Sequence, residues 1–288
     1  MNHDLSTCVI SICSLSHEHV WKLTSQLLPK FIKANEFIVY VPEAELGRFY
    51  EITDPAIKVL PNSLLGAGYN LKLRSKIESV GNSQRYGWYL QQFHKIEALT
   101  RSTTDISVIW DADCVPVKKI ELIDLNQRLI YMNASEEINP LYFLVIERLL
   151  GMSRVQNQSF VVPGFPILRN WVNEFIEHIE LLSGGLSWYD AVISCTDFSH
   201  RSGFSETETL GTWIANSYPN SWATKKVAWE RGGQNRFGYA KNFTVDSLLA
   251  IGIKKNLEII SFENWDLRGW RFNLKRLRNR LTPLIQRN

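Results

Sequence analysis

The chain has 288 residues, of which 45% are hydrophobic and 21% charged, and it carries a net charge of +3. This is enough apolar material for one large core or two fused lobes, and it excludes a disordered chain. The charge is too small to point to nucleic acid, and no nucleic-acid partner is expected.

Cys8, Cys13, Cys114 and Cys195 form no C-x-x-C pair. Neither a disulfide framework nor a zinc site is therefore expected, and a reducing cytoplasm fits. Met1-Asn2-His3-Asp4 lacks the basic and apolar regions of a signal peptide. The longest apolar run, Leu141 to Ile146, falls far short of the ~20 residues a bilayer span needs.

Taken in order, Thr7 to Cys13 is a β-branched run that predicts a strand. From His17 to Lys33, Val20, Leu23, Leu27, Leu28 and Phe31 recur at helical spacing. Glu36 to Val41 and Ala56 to Leu60 read as further strands, each closed by a proline. Gln84 to Arg101 reads as a helix and Asp105 to Trp110 as a buried strand. This alternation predicts crossover units and a mainly parallel sheet. Beyond residue 115 the expected strands are Leu129 to Asn133 and Ser159 to Val162. Helices are expected over Ile167 to Leu182 and Ser205 to Ser217, and a short helix and a strand between Thr244 and Ile260. The fold class expected is α/β, a Rossmann-type sandwich in a single domain with two fused lobes. The divisions are a nucleotide-binding lobe over 1–115, an acceptor lobe over 116–262 and a basic C-terminal helix over 263–288.

Asp111 and Asp113 directly follow the strand-like run Ile106 to Trp110. Open α/β sheets bind ligands beyond the carboxyl ends of their strands. Two carboxylates one residue apart at such an end can share one hard cation, whose other positions go to phosphate and water. Bare Asp-x-Asp is a short pattern, so the position carries the argument. A solvated strand-to-turn junction capped by Asp111 is the bland alternative.

VIWDADCVPVKK resembles the strand and DxD element of GT-A glycosyltransferases, and the order of the two halves is similar to that fold. GWYLQQFHKIEAL and GFSETETLGTWIAN resemble bacterial proteins linked to surface-polysaccharide synthesis. The resemblance implies a cytoplasmic transferase that moves a sugar from a nucleotide-sugar, most often a UDP-sugar, to a glycan or lipid-linked acceptor. It implies Mn²⁺ or Mg²⁺ at Asp111 and Asp113, with Asp111 also near the donor, and donor contacts at Ser14 where the first strand ends. Two other readings compete. The same DxDxV pattern fits a HAD-type phosphatase with Asp111 as nucleophile, and a non-catalytic sugar-binding protein would keep the fold alone.

Trp88, Gln91, Gln92 and Lys95 fall on one helix face. With the resemblance, Gln92 and Lys95 become donor-binding candidates; without it they are a solvated face. Inverting transfer needs a carboxylate base, for which Glu206 and Glu208 are the candidates. Ser205 with Glu208 also forms a capping-box pattern, which makes Glu206 the stronger of the two. Trp229 to Gly238 is rich in glycine and arginine and reads as a lid whose Arg231 or Arg236 meets the diphosphate, or as a plain surface loop. From Arg268 to Arg287 there are seven basic and no acidic residues, with leucines at helical spacing. Such a helix packs on the domain, touches an anionic membrane at its inner face, or does both.

Overall fold

The structure is a computed structural model that describes residues 5–124, 126–132 and 138–263. The basic helix expected over 268–287 lies outside the described residues.

The first half runs β1 (Thr7–Ile12), α1 (Glu18–Phe31), β2 (Glu36–Val41), α2 (Leu46–Ile52), β3 (Lys58–Pro61), α3 (Asn70–Ser79), α4 (Tyr86–Arg101) and β4 (Ile106–Trp110). The second runs β5 (Cys114–Pro116), β6 (Leu129–Met132), α5 (Pro140–Leu150), β7 (Gly164–Leu168), α6 (Arg169–Leu182), α7 (Trp188–Cys195), α8 (Glu206–Ser217), β8 (Trp222–Lys225), β9 (Trp229–Glu230), α9 (Gly233–Phe237), α10 (Val245–Lys255) and β10 (Ile259–Ser261).

The central sheet has the order β3-β2-β1-β4-β7. Ile10 of β1 sits in register with Ile38 on one side and Ile109 on the other, both pairings parallel. Only β7 runs against its neighbour. This is a Rossmann-like α/β fold with a mainly parallel sheet flanked by helices, as the alternating pattern predicts. Every residue of β4 is buried, because crossover helices cover both faces of such a sheet. The chain builds outward from β1 to β3 and then returns past β1 to β4. Right-handed crossovers in opposite directions place α1 and α4 on opposite faces, and the order of connection reverses between β1 and β4.

The second half completes the first rather than standing apart, since β7 forms the far edge of the central sheet. A small sheet of β5, β10 and β9 and a parallel pair of β6 and β8 stand beside it. Val20, Leu23 and Leu27 of α1 pack there with Val115, Leu248, Ile260 and Phe262 in a second core.

Two expectations are corrected in this half. Ser159 to Val162 is not a strand; its polar backbone is taken up by a helix side chain, described below, rather than by a ladder. The strand begins instead at Gly164, which lies against the Trp110 ring so closely that a Cβ there would come within 2.6 Å of it. The next helix accordingly starts at Arg169, not Ile167. The apolar run Leu141 to Ile146 belongs to α5, which opens on an Asn139 cap with Pro140 in the first turn. Among the described residues no helix is long and apolar enough to cross a membrane.

Candidate functional site

The reversal between β1 and β4 leaves a crevice at the carboxyl ends of both strands, the position where open α/β sheets take ligands. Ser11 Oγ donates to the Trp110 carbonyl at 2.9 Å, tying the two strand ends together. The turn Asp111-Ala112-Asp113 closes β4 and is held from four sides. Asp111 N donates to the Pro163 carbonyl at 2.9 Å and Cys114 N to the Asp111 carbonyl at 3.0 Å. Thr24 Oγ1 of α1 donates to the Ala112 carbonyl at 3.0 Å, and Phe262 N to the Asp113 carbonyl at 2.9 Å. The carboxylates therefore project from a backbone that neighbouring elements fix.

Lys95, on α4, reaches this turn. Its Nζ lies 2.7 Å from Asp111 Oδ1 and 2.7 Å from Glu206 Oε1. The Lys95 and Glu206 side chains are 7% and 3% exposed, against 36% for Asp111, so the arrangement grades from the core to the crevice. Burial alone favours a neutral amine, but the Asp111 and Glu206 charges outweigh it and hold Lys95 protonated, well above the ordinary lysine range. Burial, with the Asp111 charge adding to it, pushes the Glu206 carboxyl up, while Lys95 opposes the rise.

Two contacts bring α8 to α4. Tyr89 Oη accepts from Gly203 N at 2.8 Å and donates to the His200 carbonyl at 2.8 Å. Gly203 permits this approach, since a Cβ there would come within 2.5 Å of the Asp197 carbonyl. Gln92 Oε1 then accepts from Glu206 N at 3.4 Å. Gln92 and Lys95 are buried, so this stripe of α4 faces the interior and is not the solvated face that polarity alone suggests.

Glu208 sits two residues along α8 and therefore points to another side. Its Oε2 accepts from Ser159 Oγ at 2.9 Å and from Phe160 N at 2.8 Å. Its own N donates to Ser205 Oγ at 3.3 Å, so Ser205 caps the helix as the pattern predicts. The structure thus groups Glu206 with Lys95 and Asp111, and gives Glu208 to the loop before β7.

Asp113 faces the crevice half-buried. Burial first, then the Asp111 charge, pushes its carboxyl up, with His17 and Lys95 drawing it back. Glu263 follows β10 and is pushed up to about 8 by burial and by the Asp113 charge, while Arg231 pulls it down. Arg231 Nε lies 3.3 Å from Glu263 Oε1, and its guanidinium stands over the Trp229 ring. Arg236 pairs with Glu230 instead. The segment read as a lid is here β9 and α9, anchored on β10 by parallel pairing and by Gln234 Nε2 donating to the Phe262 carbonyl. Ser14 lies at the crevice end of β1, where its Oγ meets Ser16 Oγ at 2.8 Å.

His17 and Glu263 were not singled out from sequence; His17 acts on the charge at Asp113, and the Asp113 charge acts on Glu263. His17 carries a positional signal, since it stands at the start of the first helix in the short connection from the first strand. Glu263 carries none, because it is 150 residues away along the chain and arrives only through the pairing of β10 with β5. Two adjoining hollows of about 260 and 430 Å³ run along α1, sharing His19, Ala240 and Lys241; neither is lined by Asp111 or Asp113, and the smaller takes in His17. The smaller one is floored by Phe262, whose N–H holds the Asp113 carbonyl.

All four cysteines are free, and Cys8, Cys13 and Cys114 are buried. Among the described residues no group of three or more His, Cys, Asp or Glu side chains is arranged to hold a metal unaided.

Residues 17–207 match a family of unknown function, DUF6492. The match spans well over half of the chain, which belongs to that family, and it takes in Lys95, Asp111, Asp113 and Glu206. No curated protein matches the chain.

Proposed function

We propose that this member of a family of unknown function is a metal-dependent glycosyltransferase of GT-A type, binding a nucleotide-sugar such as a UDP-sugar and serving a glycan or lipid-linked acceptor. The observation that carries the reading is the pinned Asp111-Ala112-Asp113 turn at the carboxyl end of β4, beside the end of β1 where the sheet order reverses.

The residues suit a hard divalent cation, Mn²⁺ or Mg²⁺. Asp111 and Asp113 offer oxygen ligands on a fixed turn, and the Asp113 and Glu263 carboxyls are pushed up by burial first and by a neighbouring carboxylate second, a cost to their charged forms that a cation relieves. Two carboxylates, with no third His, Cys, Asp or Glu grouped with them to hold a metal among the described residues, match sites that leave the remaining positions to substrate phosphates and water. When bound, such a cation would neutralise the charge of the leaving diphosphate. The chain's own part is to hold the two carboxylates apart from solvent motion. Lys95 orients Asp111, Glu206 anchors Lys95, and Ser14, His17 and Arg231 border the space where the nucleotide lies. Glu206 is 3% exposed and ion-paired, which favours its role as an anchor over that of an acceptor base. A cytoplasmic setting, with the inner membrane face touched through 268–287, goes with this reading.

Thermal denaturation with UDP, with and without Mn²⁺, tests it. At a hundredfold excess over Kd, the complex should gain about 3 kcal/mol of stability. That gain should require both components and vanish in Asp113→Ala. Stabilisation by UDP that ignores the metal, or none at all, removes the proposal. Release of phosphate from a generic ester, with fluoride analogues trapped at Asp111, replaces it with the phosphatase reading.

A further inference from the structure

We infer that Lys95 serves as a resident counter-cation that keeps the site weak toward a bare divalent cation, so that metal and nucleotide diphosphate bind as one unit. This rests on the metal-dependent reading above and adds to it a coupling of the two ligands set by a buried side chain.

Lys95 Nζ is 2.7 Å from Asp111 Oδ1, one oxygen of a carboxylate that the metal reading makes a ligand. A full positive charge at that distance lowers the pull of Asp111 on a second cation, and it occupies one of the carboxylate's lone-pair sites. Lys95 cannot swing away at little cost, since its ammonium is also 2.7 Å from the buried Glu206 carboxylate and its stem lies inside the protein. The three groups come from α4, the turn that closes β4, and α8, and Gln92 and Tyr89 hold α8 in place behind them.

A bare cation thus meets Asp113, a half-neutralised Asp111 and no third His, Cys, Asp or Glu grouped with them to hold a metal among the described residues. A nucleoside diphosphate brings its own oxygens and negative charge, which supply what Lys95 withholds. Coupling of this kind is reciprocal, so the metal strengthens nucleotide binding by the same factor. Glu206 moderates the effect. Its negative charge offsets part of the Lys95 charge, so loss of Glu206 alone makes Lys95 a stronger opponent of the metal. Loss of both partners frees Asp111.

Mn²⁺ titrated into the full chain, with free Mn²⁺ read by electron paramagnetic resonance, tests the inference. In the wild type, UDP should raise Mn²⁺ affinity by roughly tenfold or more, within the range that partners of metal ligands command. Equal affinity with and without UDP overturns the inference. Glu206→Gln should weaken binding of Mn²⁺ alone. The double variant Lys95→Met with Glu206→Gln removes both charges at similar volume, an exchange that buried ion pairs tolerate. It should bind Mn²⁺ alone roughly tenfold more tightly than the wild type and depend less on UDP. A purely structural role would weaken both variants. If the double variant binds bare Mn²⁺ no better than the wild type, the inference fails, while UDP-dependent Mn²⁺ binding by the wild type leaves the proposed function standing. Absence of Mn²⁺ binding by the wild type, with or without UDP, overturns both.

Discussion

His94 and Lys95 adjoin on α4, and Glu206 and Glu208 share the first turn of α8, yet each pair divides between two environments. Lys95 and Glu206 meet each other and Asp111 in a charged line that leads to the crevice. His94 and Glu208 turn away. His94 Nδ1 lies 2.8 Å from the Tyr69 hydroxyl, and Glu208 accepts from Ser159 and Phe160. All four are buried. Burial therefore does not separate the residues aimed at the crevice from the structural ones; the partner does. Where the partner is a charge that ends at the sheet's carboxyl edge, the group belongs to the candidate site. Where it is a hydroxyl or a backbone N–H, the group holds the scaffold.

Breaking the charged line should have the largest effect on stability. Lys95→Met leaves Glu206 buried without its cation, and removing one partner of a buried pair costs about 3–5 kcal/mol. Urea denaturation of this variant against the wild type measures it. A loss below 1 kcal/mol would show that the line is solvated and that the contrast with His94 fails.

The neutral partner on the same helix should respond to acid instead. Burial holds the His94 imidazole down at about 4, from an ordinary 6.5. The unfolded chain then takes up a proton first. Stability is full above about pH 6.5 and falls as pH drops toward the folded value, by roughly 3 kcal/mol in all. Denaturation midpoints across pH 7 to 4, compared with His94→Gln, isolate this contribution. An unchanged slope in the variant would assign the acid sensitivity elsewhere.

Glu208→Ala should show the smallest loss. It strips the Phe160 N–H of its acceptor, which costs about 1–3 kcal/mol for a buried donor. Metal-dependent stabilisation by UDP should survive in the folded fraction. Loss of that coupling would place Glu208 in the site after all and erase the distinction between the two glutamates.

Much of this was legible along the chain. Glu36–Val41 is a strand over the predicted span, and β1, α1, α4 and β4 match to within two or three residues at each end. Their signals are local, since periodicity, β-branched runs and closing prolines act on near neighbours. Asp111 and Asp113 stood out for the same reason, as acids that end an apolar strand. The rest resisted. In the first half Asn70–Ser79 is a helix although its first turn follows a glycine-containing loop, and in the second β7 lies on the other side of Pro163 from the strand expected there. Strands of two or three residues, such as β5 and β9, carry too little periodicity to be read and exist because they pair with distant partners.

The sequence by itself determined the α/β alternation, the mainly parallel sheet and the placing of an acidic pair at a strand end, because these follow from residue type and short-range spacing. Only the tertiary structure decided that β1 and β4 are neighbours, which sets the crevice. It alone joined Lys95 to Glu206, 111 residues apart, brought Glu263 and Arg231 to the same edge, and sent Glu208 elsewhere. Those outcomes depend on crossover direction and on which helix faces meet, and long-range packing fixes both.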